Sequence, residues 1–343
     1  MPGLFKGDRE DSGPTLVSHE ARRLSLLPAG ERPDMVQSLK LGLDPMAPII
    51  TSVYEFEEVL GRGAFGEVQR GRHIESSRCY AIKKLATAKL KQSNLKAEIR
   101  ILKECRHPNI VALREVFATE EYIYLVMELA TGGALMDMVA REGSLSESLC
   151  AKATAQIADA LAFMHRAGVV HRDMKPENLL LADEASFIIK ICDFGLSKMV
   201  HGVNDRSSRD KSSSSRAAST ASLSAAVPNT EMNFDDRALV MKSRVGTQWY
   251  ASPELLNGAE TYDQSIDMWG LGLVIYILLS GKHPFECDDM YGAITTARLP
   301  FAEPVWKVVH DSCLDLVRGV LKAKPVDRLT AEEVPLPITA HRR

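Results

Sequence analysis

Gly61, Gly63 and Gly66 stand in "GRGAFG", with Val68 shortly after, in the spacing G-x-G-x-x-G. Lacking a Cβ, such residues let the chain turn tightly and let backbone amides approach phosphate oxygens. An ordinary glycine-rich hairpin shares this spacing. A dinucleotide-binding turn shares it too, but that turn opens a helix directly after the glycines, whereas "EVQRGR" continues here as strand. In "AIKKL", Lys83 alternates with apolar neighbours, which points it away from them. Alone, such a lysine is ordinarily a solvated surface charge. Opposite Glu98 on the following helix it would form an ion pair that holds an ammonium against phosphate oxygens.

The elements around these residues are readable in outline. "YEFEEVLGRGAFGEVQRGR" has strand-like residues on both sides of the glycines, and "CYAIKKL" reads as the next strand. "NLKAEIRILKEC" puts Leu95, Ile99 and Leu102 on one helical face, and "IVALREVFATEEYIYLVMEL" reads as two paired strands. After "ATGGAL" the pattern turns helical through "LCAKATAQIADALAFMHRAG", and most of the chain after Ser252 is helix broken by Gly and Pro. A strand-rich front therefore joins a helix-rich back, an α+β arrangement, with no repeat of fixed period. Residues 1–50 mix Pro, Gly, Ser and charge and are expected to be a poorly ordered extension. The interior tract at about 201–236, with "RDKSSSSRAASTASLSAA" at its centre, has too few apolar residues to fold by itself.

The 343 residues are 45% hydrophobic and 25% charged, ample for a core. A net charge of -3 argues against a chain that coats nucleic acid or an acidic membrane. The six cysteines are scattered, with no C-x-x-C pair and no zinc spacing, and read as reduced thiols, which favours the cytoplasm or nucleus. The apolar run "MWGLGLVIYILLS" is too short to span a bilayer and is expected to be a buried core helix.

"HRDMKPENLL" followed by "CDFGLSK" resembles the eukaryotic protein kinases over residues 54 to about 333. That resemblance implies a bilobal α+β fold: a small β-rich N-lobe (54–128) with one main helix, and a larger, mainly helical C-lobe (131–333), with 334–343 as a tail. It implies ATP and Mg2+ as cofactors. Asp173 would accept the proton of a substrate hydroxyl and Lys175 would steady the transferring phosphoryl group, while Asn178 and Asp193 would supply hard oxygen ligands for magnesium. Leu60, Gly61, Arg62, Gly63, Ala64, Phe65, Gly66, Val68, Ala81, Lys83 and Glu98 would line or hold the nucleotide. "YLVMELATGGAL" resembles the family's hinge, with Met127 gating the pocket behind adenine, and Glu128 and Ala130 offering backbone groups to the adenine edge. "VGTQWYASPE" resembles the segment that receives the substrate peptide, and Arg328 would pair with Glu254 to tie that segment down.

Lys175 and Thr247 resemble the serine/threonine type, and "DMKPENLLL", "GKHPF" and "LPFAEPVWKVV" look most like the calcium/calmodulin-dependent kinase group. No D-x-D-x-D-G calcium loop and no basic amphipathic helix for calmodulin is legible, so neither site is expected. Expected partners are protein substrates bearing Ser or Thr, with an upstream kinase or autophosphorylation supplying any activating phosphate; no nucleic acid and no membrane segment are expected. Ser252 stands where the family usually has Ala, and Ala134 where it commonly has a Glu that contacts ribose and a substrate arginine. Glu177 remains to meet such an arginine, so a weakened basic preference is expected. A pseudokinase scaffold is the alternative; against it, Lys83, Glu98, Asp173, Asn178 and Asp193 are all present.

In the family, the arginine corresponding to Arg172 pairs with a phosphate on the activation segment, and Ser243 stands at the usual phosphorylation position. The resemblance therefore implies that phosphate on Ser243 orders the segment through Arg172. The serine-rich tract falls between Gly195 and Pro253, inside that activation segment, as a loop inserted into a working unit.

Overall fold

The computed structural model describes residues 38, 41, 48–63, 66–89, 92–199, 230–231, 247–259 and 261–334. Two compact units emerge, the first from described residues within 1–62, 66–90 and 115–126, the second from those within 63–65, 91–114 and 127–343.

The body of the first unit is a five-stranded sheet of β1 (Tyr54–Arg62), β2 (Gly66–His73), β3 (Cys79–Ala86), β4 (Leu113–Ala118) and β5 (Tyr122–Glu128), in the order β1-β2-β3-β5-β4. β1, β2 and β3 run antiparallel, with Gly61 opposite Val68 and Val68 opposite Lys83. The register of β1 shifts twice between Phe56 and Gly61, so its irregular end is the one that carries the glycines. One turn of helix, α1 (Ile50–Val53), precedes β1. Its Ile50 is buried in one cluster with Tyr54, Ile82, Phe117, Tyr124 and Val126, so the extension expected at 1–50 contributes its last residue to the core. Tyr54 meets Tyr80 and Phe117 edge to face, with ring centroids 5.8 and 6.0 Å apart.

The second unit is mainly helical: α2 (Gln92–Glu104), α3 (Leu135–Glu142), α4 (Glu147–Arg166), α5 (Pro253–Leu256), α6 (Ser265–Ser280), α7 (Met290–Thr295) and α8 (Asp311–Val320). The start of α4 is fixed by Ser146, whose hydroxyl accepts the Leu149 amide at 3.3 Å. The centre is α6, apolar all round, with every residue from Ile266 to Leu279 buried, as its sequence leads one to expect. Each Leu or Ile so enclosed contributes roughly 1.5–3 kcal/mol. A Cβ on Gly270 would stand 2.6 Å from the Met174 carbonyl oxygen, so glycine there lets α6 lie against the backbone of the loop carrying Asp173. Three two-stranded pieces complete the unit: β6 (Val169–Val170) with β9 (Lys198–Met199), β7 (Leu179–Leu181) with β8 (Ile189–Ile191), and β10 (Thr230–Glu231) with β11 (Thr261–Tyr262). No helix among the described residues is long and apolar enough to cross a membrane.

Candidate active site

In the second unit, the loop after β6 is anchored on one carboxylate. Asp267, fully buried near the start of α6, accepts the His171 amide at 2.9 Å and the Arg172 amide at 2.8 Å, and its Oδ2 lies 2.9 Å from His165 Nε2. Burial pushes this carboxyl up, but the hydrogen bond to His165, the electrostatic pull of the two imidazoles and the His171 amide outweigh it, holding Asp267 below the usual carboxylate range. Arg172 sits at φ 69, in the left-handed region. His171 accepts the Asp173 amide on Nδ1 at 3.3 Å, which leaves Nε2 to donate to the Cys192 carbonyl at 3.1 Å.

That scaffold presents Asp173, which is 9% exposed. Lys175 Nζ reaches both its carboxylate oxygens, at 3.0 and 2.8 Å. Asn178 Nδ2 donates to the Asp173 main-chain oxygen at 2.7 Å and to Oδ2 at 2.9 Å. The Asn178 carbonyl then accepts the Cys192 amide at 2.9 Å, which links this loop to the residue before Asp193. Asp193 adopts φ 61 and ψ 75, and the following turn, Phe194–Leu196, buries Phe194 edge to face on His171 at 5.0 Å. α2, which carries the buried Glu98, packs against this same turn. The structure thus brings Asp173, Lys175 and Asn178 into one bonded group, with Asp193 tied to it through Cys192.

Further along, Arg328 meets Glu254, and the Tyr250 hydroxyl donates to Glu177 Oε1 at 3.4 Å. Burial first, then the Glu177 charge, raises the Tyr250 hydroxyl above its ordinary range. Asp137 accepts the Ala134 amide at 3.1 Å, so its carboxylate caps α3. Glu128 donates its amide to the Ala112 carbonyl at 2.9 Å, and its carboxylate lies 2.7 Å from Lys190 Nζ. Met127 and Ala130 are half-buried beside it.

In the first unit, the glycines differ. Among the described residues, a Cβ on Gly61 would meet nothing within 4 Å, whereas one on Gly66 would stand 2.0 Å from the Lys84 carbonyl oxygen. Gly66 is thus required by the close approach of β3, and Gly61 borders open space. Lys83 on β3 is 9% exposed, so it is no solvated surface charge. Ala81 and Val68 are half-buried, while Leu60 and Arg62 are exposed.

Ala64, Phe65 and Ser243 lie outside the described residues, as does the serine-rich tract apart from Thr230–Glu231; Thr247 opens a short turn, Thr247–Tyr250. The sequence reading missed His165 and Tyr262, which bond to Asp267 and Arg172. Both lie far along the chain from their partners, and no short motif includes them.

Residues 54–335 match the protein kinase domain family. The chain is 37% identical to myosin light chain kinase A of Dictyostelium discoideum, over 82% of this chain and 86% of that protein. It is 35% identical to human serine/threonine-protein kinase H1, over 83% of this chain and 60% of the relative. With human calcium/calmodulin-dependent protein kinase type IV it shares 36% over 82% of its length, spanning 53% of that relative. The chain belongs to the protein kinase family, among its serine/threonine kinases.

Proposed function

We propose that the chain transfers the γ-phosphate of ATP to serine and threonine hydroxyls of protein substrates. The grip of Lys175 and Asn178 on the Asp173 carboxylate carries this reading. A carboxylate fixed on both sides is placed to accept the proton of an incoming hydroxyl. The Lys175 ammonium is placed to balance negative charge on the transferring group. Because its nitrogen is committed to Asp173, Asn178 has its amide oxygen for a hard cation; with the Asp193 carboxylate, this donor set suits magnesium. The metal, when bound, would neutralise phosphate charge.

Lys83 would meet phosphate oxygens, and Gly61, with no neighbour for a Cβ among the described residues, leaves room for them near the backbone. Glu128 has its amide engaged with Ala112, so what it offers adenine is its carbonyl; Ala130 offers its backbone as well. Substrates with a basic residue before the acceptor are favoured through Glu177, weakly, because Ala134 supplies no carboxylate and Tyr250 already bonds Glu177. The scattered free cysteines favour a cytoplasmic or nuclear setting.

Radiolabelled ATP with a basic serine peptide tests the reading: the wild type labels the peptide, and Lys83→Met or Asp193→Asn reduces labelling to background. Labelling that survives both substitutions would overturn it. A positional peptide library then reads the basic preference directly.

A further inference from the structure

Arg172 directly precedes Asp173 and is held on several sides. Its amide donates to Asp267 Oδ1 at 2.8 Å, its Nε donates to the Leu196 carbonyl, and its Nη1 donates to the Tyr262 hydroxyl at 2.6 Å. The Tyr262 ring also lies 5.5 Å from the guanidinium carbon, within reach of a cation–π contact. A non-glycine residue in the left-handed region persists only where its surroundings fix it, and Arg172 is such a residue.

Tyr262 is built for this task. It is 3% exposed, in one buried cluster with Val170, Leu255 and Ile266. Val170 ends the strand entering the Asp173 loop, Leu255 follows Glu254, and Ile266 precedes Asp267. One side chain therefore rests on the loop's entry strand, the substrate-segment helix and the anchoring helix at once. Its backbone is braced too: on β11, Tyr262 stands opposite Thr230 of β10, within the serine-rich tract.

We propose that Tyr262 is a positioning residue for phosphoryl transfer: its hydroxyl gives Arg172 an acceptor from within the fold, so that alignment of Asp173 does not depend on a phosphate in the activation segment. The inference rests on the role of Asp173 in the transferase reading. A hydrogen bond from a charged donor in a buried site is among the stronger ones. The kinase resemblance assigns Arg172 to a phosphate on Ser243; with the Tyr262 latch in place, that phosphate is an addition and not a requirement.

A double-mutant cycle on the full chain tests this, with Tyr262→Phe and Arg172→Ala made singly and together. Phenylalanine keeps the ring and its packing and removes only the hydroxyl. The readouts are kcat and KM for peptide and ATP, normalised to nucleotide-binding sites, and hydrogen exchange of residues 169–175. We expect Tyr262→Phe to lower kcat about tenfold with both KM values unchanged. It should also speed exchange in that segment, and should add nothing to Arg172→Ala. Phosphatase-treated wild type should match the untreated protein. Additive losses in the cycle, or a phosphatase-treated wild type about tenfold less active, would overturn the proposal. A wild type with no transfer at all would instead sink the transferase reading, and the exchange measurements still decide the latch.

Discussion

Arg328 grips Glu254 with both prongs of its guanidinium, Nη1 to Oε1 at 2.7 Å and Nη2 to Oε2 at 2.5 Å. The arginine side chain is fully enclosed, and it also donates to the Ser265 carbonyl at 2.9 Å and the Lys322 carbonyl at 2.8 Å. Removing one partner from such a pair strands a charge away from water. Arg328→Ala is therefore expected to lose about 3–5 kcal/mol of stability in chemical denaturation. Arg328→Lys should also lose stability, because an ammonium cannot reproduce the planar fork. A loss under about 1 kcal/mol for Arg328→Ala, the range of an exposed pair, would contradict this placement.

Ser252 offers the opposite case. It is fully buried, and among the described residues its hydroxyl has no hydrogen-bond partner. An unpaired buried hydroxyl costs more than the methyl that replaces it. Ser252→Ala should raise stability by about 1 kcal/mol, seen as a higher denaturation midpoint with unchanged slope. A clear fall in the midpoint would mean that the hydroxyl is bonded.

The glycines of the first unit should separate by assay. Gly66→Ala drives a Cβ onto the Lys84 carbonyl and should lower the melting temperature. Gly61→Ala meets no described neighbour, so the fold should be little changed while KM for ATP rises severalfold. Equal melting temperatures for the two variants would show that β2 and β3 do not approach so closely.

His283 lends the second unit an acid-sensitive element. Its ring lies 5.3 Å from that of Trp249 and 5.2 Å from that of Tyr250, and its Nδ1 accepts the Phe285 amide at 3.2 Å. Burial pushes its pKa down to about 4, against a smaller opposing effect of the Trp249 backbone. The unfolded chain thus binds the proton more readily than the folded one. Stability from this residue is full above about pH 6.5 and is lost as pH falls toward 4, by up to about 3 kcal/mol. Denaturation curves from pH 7 to 4 should show the slope in the wild type and a flatter one in His283→Gln. Equal slopes would remove His283 as the cause.

What the sequence reveals depends on distance along the chain. Asp173, Lys175 and Asn178 fall within one short loop whose order carries the kinase resemblance and so their roles, while the bonds among them show only in the fold; the apolar run of α6 identifies the core helix. The pairing of Arg328 with Glu254 was legible only through family resemblance, since many residues separate them. Tyr262 and His165 were not legible at all: nothing near either residue names Arg172 or Asp267, and only the folded chain brings them together. The separate reasons for Gly61 and Gly66 were likewise hidden, because the spacing looks the same whether a glycine faces open space or a neighbouring carbonyl. Lys83 reads in isolation as a surface charge, but the register of β2 on β3 places it in a buried position.

The most direct test of the central claim is the rate of phosphate transfer from ATP to a serine peptide by the wild type and by Asp173→Asn, with nucleotide binding measured on the same samples. We expect measurable transfer by the wild type and a fall of about 10²-fold or more in the variant, with ATP affinity retained. Transfer at the same rate by Asp173→Asn, or none by a wild type that binds ATP, would contradict it.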